Sequence, residues 1–339
     1  MPTSLKRWWR KIVFEPNDPR FWNAQAPKVA AIGGGTGLSI LLKGLKNYFD
    51  DISAIVTMTD DGASSGVIRQ EFDTLPPGDI RKCISALAQD EELVSKVLEY
   101  RFNKKEKIFA GHTLGNIWIA ALTKYFGSFE KALEATLKIF ATRGNIYPST
   151  LDSVKLAAVF ENDGKEIGES KIAKPGSKIK KIYFSKNPKP YPKALQAIRN
   201  ADLIVAGPGS LFTSILPNLI IKEIAAAIKK NQQAVKIYIA NCSTERGETE
   251  SFSVEEHLET INRITGAKLF DYLLVNSRII KRSKNESTLG TVNNITTKRK
   301  NHLGVEIFRA DIIDHKNPLI HDSEKLAQAL SRIYKKTRR

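Results

Sequence analysis

The chain is poor in cysteine and in long apolar stretches. Its 339 residues include two cysteines, Cys83 and Cys242. Two cysteines give no disulfide framework and lack the spacing of a metal site. No stretch approaches the ~18 consecutive apolar residues of a transmembrane helix. These absences predict a cytoplasmic protein in a reducing compartment, and the length predicts one large or two medium-sized domains with an ample core.

Acidic residues are scarce relative to basic ones. The sequence has 53 Lys and Arg against 36 Asp and Glu, which gives a formal net charge of +17. Such a charge is compatible with nucleic-acid binding, with an anionic membrane or ligand, and with a lysine-rich proteome. The charges are spread along the chain without aromatic platforms, and no RNA-binding or helix-turn-helix signature is present. We therefore expect no nucleic-acid partner.

Residues 1–27 form a basic, tryptophan-containing N-terminal extension. The segment from Lys6 to Phe14 mixes basic and bulky apolar side chains, and three prolines then interrupt regular structure. The segment lacks the long apolar core and the cleavage site of a secretory signal. One interpretation is peripheral membrane contact with the tryptophans at the headgroup level. The interpretation that we favour is an extension packed on the domain.

From residue 28 onwards, short runs rich in Val, Ile and Leu alternate with helical stretches. The predicted strands are 28–32, 52–58, 181–185, 202–206, 235–240 and 270–275. The predicted helices are 38–48, 80–100, 113–126, 128–140, 191–199, 214–230, 254–264 and one that begins near Ser323. This alternation is typical of α/β proteins with a mostly parallel sheet. Residues 28–339 are therefore expected to form one Rossmann-like α/β domain with flanking helices.

Two segments depart from that alternation. Residues 150–185 contain apolar runs separated by Asn162-Asp163-Gly164, which predicts a hairpin within a small antiparallel insertion. Residues 281–303 are polar and basic, which predicts a mobile loop.

A glycine-rich turn follows the first predicted strand. Gly34, Gly35, Thr36 and Gly37 lie between this strand and a helix. Glycines there let the backbone approach a ligand closely, and the free N–H groups of the helix favour an anion, most often a nucleotide phosphate. The turn matches neither the strict dinucleotide fingerprint nor the P-loop. A purely structural strand–helix turn is the alternative interpretation.

Two adjacent carboxylates, Asp60 and Asp61, follow the second predicted strand. They are candidates to hold Mg²⁺, to bind hydroxyls or ring nitrogens of a ligand, or to cap the next helix. Neighbouring side chains of an extended segment point in opposite directions, so at most one is expected to face a site.

Two further candidate regions lie at the N-termini of predicted helices. Asp79 is a candidate N-cap or a partner of Asp60 or Asp61 on a cation, and Arg81 is a candidate phosphate ligand. His112 and Asn116 surround a glycine at another helix start, where the helix dipole favours a neutral histidine.

A second glycine turn repeats the theme of the first one. Gly207, Gly209, Ser210 and Leu211 follow a strand and precede a helix, so we predict a second ligand contact there. Asn241 follows the next strand and is a candidate to recognise a base or sugar. No catalytic triad or His-Glu-x-x-His motif accompanies these turns, so the residues describe a phosphate-rich ligand better than a reaction.

Together these motifs resemble the CofD/YvcK family, and more closely its YvcK branch, the gluconeogenesis factors. The resemblance runs from Lys28 to the C-terminal helix. It rests on five ordered motifs: Ile32-Gly33-Gly34-Gly35-Thr36-Gly37-Leu38-Ser39, Thr59-Asp60-Asp61-Gly62 with Ser64-Ser65-Gly66, Pro76-Pro77-Gly78-Asp79-Ile80-Arg81, Gly111-His112-Thr113-Leu114-Gly115-Asn116, and the run from Gly207 to Asn218. The extension at 1–27 and Ala63, where the branch usually has glycine, are departures from the pattern.

The resemblance implies a Rossmann-like fold and binding of a UDP-sugar such as UDP-N-acetylglucosamine. It also implies a cytoplasmic role in cell shape and in growth on gluconeogenic carbon sources. The CofD branch instead transfers 2-phospho-L-lactate to a deazaflavin alcohol with Mg²⁺. Carried over to this chain, the residues from Gly34 to Gly37 face the diphosphate, and Asp60 and Asp61 match the acidic pair near metal and acceptor. The turn from Gly207 to Ser210 matches the second phosphate-side turn.

We therefore expect a regulatory protein that binds a nucleotide-sugar diphosphate. The enzyme alternative is a Mg²⁺-dependent transferase, in which Asp60 or Asp61 and Asp79 hold the metal and the glycine turns neutralise the leaving diphosphate. A membrane-docked interaction protein is a third class, and the sequence leaves a homo-oligomer open.

Overall fold

A computed structural model describes residues 26–338, except for residues 104, 174, 175, 177 and 280–293. Nearly all of the N-terminal extension and most of the predicted mobile loop therefore lie outside the described residues. The described end of that loop contains a short strand at Asn301–His302.

The chain forms an eight-stranded and a three-stranded sheet. The strands are β1 (Lys28–Gly33), β2 (Asp51–Val56), β3 (Asn145–Pro148), β4 (Leu156–Phe160), β5 (Lys165–Ile167), β6 (Ile179–Phe184), β7 (Leu203–Ala206), β8 (Val235–Ile239), β9 (Tyr272–Asn276), β10 (Asn301–His302) and β11 (Val305–Ala310). The large sheet has the order β10-β11-β9-β8-β7-β1-β2-β3, and its strands are parallel apart from β10. The prediction of a mostly parallel α/β sheet is confirmed.

Helices connect these strands. They are α1 (Gly35–Leu45), α2 (Ala63–Glu71), α3 (Gly78–Leu87), α4 (Glu91–Leu98), α5 (Leu114–Phe126), α6 (Phe129–Ile139), α7 (Glu169–Ile172), α8 (Pro192–Arg199), α9 (Leu216–Leu219), α10 (Lys222–Lys230), α11 (Val254–Thr265) and α12 (Ser323–Thr337). A π-helical turn, Leu211–Ile215, leads into α9.

The core lies on both faces of the large sheet. Along β1, Ala30 and Ile32 pack into one apolar cluster, whereas Val29 and Ala31 pack into the other. Successive side chains of a strand point to opposite faces, so a strand covered on both sides must be apolar throughout. This explains the continuous Val-Ala-Ala-Ile run of the sequence.

The strand order reverses between β1 and β7. Strand β1 pairs with β2 on one side and with β7 on the other, and the chain winds away from this centre in both directions. At such a point the loops after the two strands diverge and leave a crevice outside their carboxyl ends. The crevice lies between the two glycine turns predicted from the sequence.

The small sheet has the order β5-β4-β6 and is antiparallel. It confirms the predicted hairpin and antiparallel insertion. The predicted strand 181–185 belongs to this insertion rather than to the large sheet. The second apolar run of the hairpin is a strand only over Lys165–Ile167, since Glu169–Ile172 is helical.

Several predicted boundaries were wrong. The predicted helix 80–100 is two helices, because Asp90 accepts a hydrogen bond from the amide of Leu93 and so begins α4. The predicted helix 214–230 is also divided, into the end of the π-helical turn, α9 and α10. Sequence analysis missed α2, β3, β10 and β11.

In the described parts of the chain, no single helix has the length and apolar character needed to cross a membrane. One pair of helical segments, Leu211–Leu219 and Lys222–Lys230, together has the length and composition of a membrane span, but the two segments meet at an angle of 73°.

Candidate functional site

A cavity of about 570 Å³ lies at the point where the strand order reverses. Its walls come from the segments that follow β1, β2, β7 and β8, from the insertion, and from the residues that precede α12. The predicted site residues that line it are Gly34, Gly35, Thr36, Gly37, Asp60, Asp79, Gly209, Ser210 and Asn241. The predicted residues outside the lining are Asp61, Arg81, His112, Asn116, Gly207 and Leu211.

The first glycine turn is closely packed against its surroundings. A Cβ on Gly34 would lie 2.6 Å from Thr57 Cγ2, and one on Gly37 would lie 2.3 Å from the carbonyl oxygen of Pro208. Gly35 has a φ of +61°, a left-handed conformation that favours glycine. The turn therefore requires glycine for three separate steric reasons.

The first turn opens helix α1 with two free amides, those of Thr36 and Gly37. Gly34 is the N-cap residue and makes no side-chain cap hydrogen bond. The Gly35 amide donates to Asp79. The amides of Thr36 and Gly37 belong to the first helical turn, where N–H groups have no partner within the helix. Both residues line the cavity, so this end of the helix can bind an anion through its amides and its dipole.

The second glycine turn has a different arrangement. The Gly209 amide donates to Asn241 Oδ1 at 2.9 Å. The Phe212 amide and the Thr213 hydroxyl both donate to Glu248, at 3.0 and 2.7 Å. The buried Glu248 carboxyl thus caps this turn from within the protein. The turn presents mainly hydroxyl groups to the cavity, while Leu211 is fully buried in the core.

Three carboxyl groups form an acidic wall on the β2 side of the cavity: Asp60, Asp79 and Glu169. Burial raises the pKa of Asp79, and Asp60 adds to this effect while Lys82, 3.4 Å away, opposes it. Burial and then the charge of Asp79 raise the pKa of Glu169 well above its usual range. A carboxyl group that retains its proton can donate a hydrogen bond to a bound anion.

Asp60 and Asp61 point in different directions, as expected for adjacent residues. Asp60 lines the cavity and accepts a hydrogen bond from the Gly62 amide at 3.0 Å. Asp61 accepts one from the Ser170 amide at 2.8 Å and so fixes the insertion to the domain. The Thr59 hydroxyl donates to Glu169 in the same insertion. The insertion thereby becomes part of the cavity wall.

Arg81 has structural partners rather than a place in the cavity. Its guanidinium donates to Thr113 Oγ1 at 2.6 Å and pairs with Glu99 at 3.0 Å. A Cβ on Gly115 would lie 2.8 Å from the Arg81 side chain, so this glycine makes room for the arginine. The motif at residues 111–116 therefore packs around Arg81.

His112 and Asn116 share one partner, the hydroxyl of Ser64. His112 Nδ1 lies 3.1 Å from Ser64 Oγ, and Asn116 Nδ2 donates to the same oxygen at 3.0 Å. These contacts join helices α2 and α5 behind the cavity wall.

The β8 side of the cavity carries a second group of polar side chains. Burial, with a contribution from the Glu248 carboxylate, raises the pKa of Glu245 to about 8, while the Ser210 hydroxyl donates to its carboxylate. Arg246 and His321 complete this side. Sequence reasoning missed Glu169, Glu245 and His321, because their approach depends on long-range packing. The strand-end position of Glu245, four residues after Asn241, was the one available signal.

The comparison with known families decides the classification. A family model described as "2-phospho-L-lactate transferase CofD" matches residues 29–313. The chain belongs to the CofD family. Its glycine turns and its acidic wall lie in the matched region, and so does the rest of the cavity lining apart from residues 319–321.

Individual relatives agree with this assignment. The Bacillus subtilis protein named "Gluconeogenesis factor" is 40% identical over 311 residues, which cover 90% of this chain and 98% of that relative. A crystal structure of a Bacillus halodurans protein has a TM-score of 0.85 at 37% identity and covers 91% of this chain and 100% of its own. The resemblance derived from the five motifs is confirmed.

Proposed function

We propose that this protein binds a nucleotide-sugar diphosphate, with UDP-N-acetylglucosamine as the first candidate, and acts as a cytoplasmic regulator of carbon metabolism, the cell envelope and cell shape. The observation that carries the proposal is the start of α1, where the amides of Thr36 and Gly37 have no partner within the helix and both residues line a cavity at the point of strand reversal. Helix amides at such a position favour a phosphate group.

The size and polarity of the cavity support a ligand with two polar ends. A volume of about 570 Å³ lies in the ~300–1,000 Å³ range of small-molecule sites. The first glycine turn lies in the middle, the acidic wall on one side, and the group around Glu245 and His321 on the other. A diphosphate over the turn would extend a nucleoside to one side and a sugar to the other.

The regulatory part of the proposal rests on the relatives. The Bacillus subtilis protein carries the name of a gluconeogenesis factor, and it matches this chain over nearly its whole length. A binding protein also agrees with the way in which the polar residues are used. Arg81, His112 and Asn116 hold helices together instead of lining the cavity.

A second candidate function is the Mg²⁺-dependent transfer named by the family model. The acidic wall favours it, because Asp60 and Asp79 have the oxygen ligands that Mg²⁺ prefers. The described residues contain no cluster of three or more metal-ligating side chains. Magnesium is commonly held by one or two carboxylates plus phosphate oxygens, so Asp60 and Asp79 would hold it together with a bound diphosphate. The ion would supply charge neutralisation of the leaving group.

A pair of glycine substitutions tests the binding site. In G35A the new methyl group projects into the cavity near Ser214 and Asp79, at 3.7 and 3.9 Å. We expect at least about ten-fold weaker binding of UDP-N-acetylglucosamine in calorimetry, since one displaced phosphate contact is worth roughly 1.4 kcal/mol or more.

The matched control is G266A. Gly266 has a φ of +66°, close to the +61° of Gly35, but nothing lies within 4 Å of its Cβ position and it is remote from the cavity. Both variants therefore carry the same backbone strain. Equal affinities of G35A, G266A and the wild type would contradict the proposed site.

A further inference from the structure

Lys82 is a basic side chain in the cavity wall, next to the first glycine turn. It lies on α3, three residues after Asp79; it lines the cavity, and its side chain is 33% exposed. Asp79 in turn accepts a hydrogen bond from the Gly35 amide. A single carboxyl group therefore lies between the Lys82 ammonium and the start of α1. From this position the flexible lysine side chain can reach the space over the turn.

The Lys82 ammonium has hydrogen-bond donors to spare. Its one hydrogen-bond partner among the described residues is Asp79 Oδ1 at 3.4 Å, which is longer than the usual range of about 2.7–3.2 Å. An ammonium group has three N–H donors. The nearby Lys46 uses its own donors on the carbonyl oxygens of Ala86 and Ala88 and on Glu91, and its side chain is 10% exposed. Lys82 thus resembles a ligand-binding cation more than a structural one.

The charges around the cavity give this lysine a role. Two Lys or Arg side chains line the cavity in the described part of the chain, Lys82 and Arg246. Four carboxyl groups line it as well: Asp60, Asp79, Glu169 and Glu245. Ionised carboxylates repel an anionic diphosphate, so a cation must lie close to it. Lys82 is joined to the first glycine turn through Asp79, whereas Arg246 lies in the segment after β8.

We propose that the Lys82 ammonium binds the diphosphate of the nucleotide-sugar and supplies there the positive charge that a metal ion would otherwise supply. Helix amides and a lysine then hold the same phosphate groups from two sides. Sequence analysis assigned no role to Lys82. The inference rests on the proposed function, because it assigns a contact to that ligand, and it explains why binding would not depend on Mg²⁺.

A direct contact has to be distinguished from an effect through Asp79. Without Lys82, an unneutralised Asp79 carboxylate could weaken binding by itself. In D79N the side-chain oxygen can still accept from the Gly35 amide, but the charge is gone. A direct contact predicts that K82Q costs the same affinity in the D79N background as in the wild-type background. An effect through Asp79 predicts that the cost disappears.

The experiment is titration calorimetry of the full chain with UDP-N-acetylglucosamine and with UDP, without Mg²⁺ and near neutral pH. We expect K82Q to bind both ligands at least about ten-fold more weakly than the wild type, because both contain the diphosphate. K82R keeps the charge and should lose less than about three-fold. Glutamine is a good helix former and the Lys82 side chain is partly exposed, so K82Q should keep the wild-type melting temperature within a few degrees.

The matched control is K43Q. Lys43 lies on α1, its side chain is 39% exposed, and it pairs with Glu91 at 2.8 Å outside the cavity. K43Q therefore removes the same overall charge from a similarly exposed position. We expect its affinity for either ligand to change less than about two-fold.

Four results would overturn the inference while the proposed function stands. They are wild-type affinity in K82Q, an equal loss in K82R and K82Q, a loss in K82Q that is confined to UDP-N-acetylglucosamine, and a loss that disappears in the D79N background. If the wild-type chain binds neither ligand, the proposed function fails and the inference fails with it.

Discussion

Gly37 and Glu248 show how single residues give two similar turns different roles. Both glycine turns follow a central strand and precede a helix. In the first turn Asp79 accepts from the Gly35 amide, while the amides of Thr36 and Gly37 have no partner within α1. In the second turn Glu248 occupies the corresponding position and accepts from the Phe212 amide. The sequence predicted both turns as ligand contacts, and the capping carboxyl lies too far along the chain for local reasoning to find.

The buried carboxyl of Glu245 predicts a pH-dependent stability. Its pKa is raised from the model-peptide value of 4.5 to about 8, so the folded chain keeps this proton to a higher pH than the unfolded chain. The stabilisation is complete below the unfolded pKa and is lost as the pH rises through about 8. The E245Q variant remains uncharged. We therefore expect its melting temperature, relative to the wild type, to increase between about pH 5 and pH 9.

The control for this prediction is E161Q, which changes an exposed glutamate in the insertion. This substitution removes one negative charge but leaves every buried titratable group in place. The difference between E161Q and the wild type should stay constant over the same pH range. A constant difference for E245Q as well would show that titration of Glu245 does not contribute to the pH dependence of stability.

At the scale of elements, the sequence predicted the central helices and strands well. It did not predict where they end, and it missed shorter elements such as β3 and α2. Strand β3 was missed because Asn145–Pro148 is four residues long and ends in proline. Helix α2 was missed although Asp60 and Asp61 were considered as caps of a following helix. The insertion was predicted, but its contribution of Glu169 to the cavity depends on the Thr59 and Asp61 contacts. These contacts join residues more than 100 positions apart.

The Arg81 network predicts a structural phenotype for R81A. This guanidinium is 5% exposed and joins α3 to Thr113 and to Glu99 at the end of α4. Its removal leaves a buried hydrogen-bond network incomplete, so we expect the free energy of unfolding to fall by about 2–3 kcal/mol. Affinity for UDP-N-acetylglucosamine should change less than about two-fold in the folded protein, because Arg81 is not part of the cavity wall.

The matched control is K96A, which breaks the Lys96–Glu92 pair on the neighbouring helix. Both side chains of that pair are mostly exposed, at 70% and 81%. Exposed pairs contribute little, so the expected change is below about 0.5 kcal/mol. A large loss of affinity together with unchanged stability in R81A would instead support the sequence-based hypothesis of a phosphate contact.

At the scale of the whole molecule, the order of the strands explains why motifs from distant parts of the sequence meet. The order in which the chain adds strands to the sheet reverses between β1 and β7, and the loops that follow these central strands enclose one cavity. The sequence predicted the α/β class and most of the central cavity wall from the turn motifs. It gave no signal for His321 as part of this wall, and for Glu245 only its position after the end of a strand. The positions of both follow from the packing of β8 and of the segment before α12.

The central claim is that the chain binds a nucleotide-sugar diphosphate at the first glycine turn without consuming it. The most direct test is titration calorimetry with UDP-N-acetylglucosamine and with GDP, each with and without Mg²⁺, followed by chromatography of the recovered ligand. We predict binding of UDP-N-acetylglucosamine that does not depend on Mg²⁺ and leaves the ligand intact. A preference for GDP that requires Mg²⁺, or no binding of the UDP-sugar, would contradict the claim.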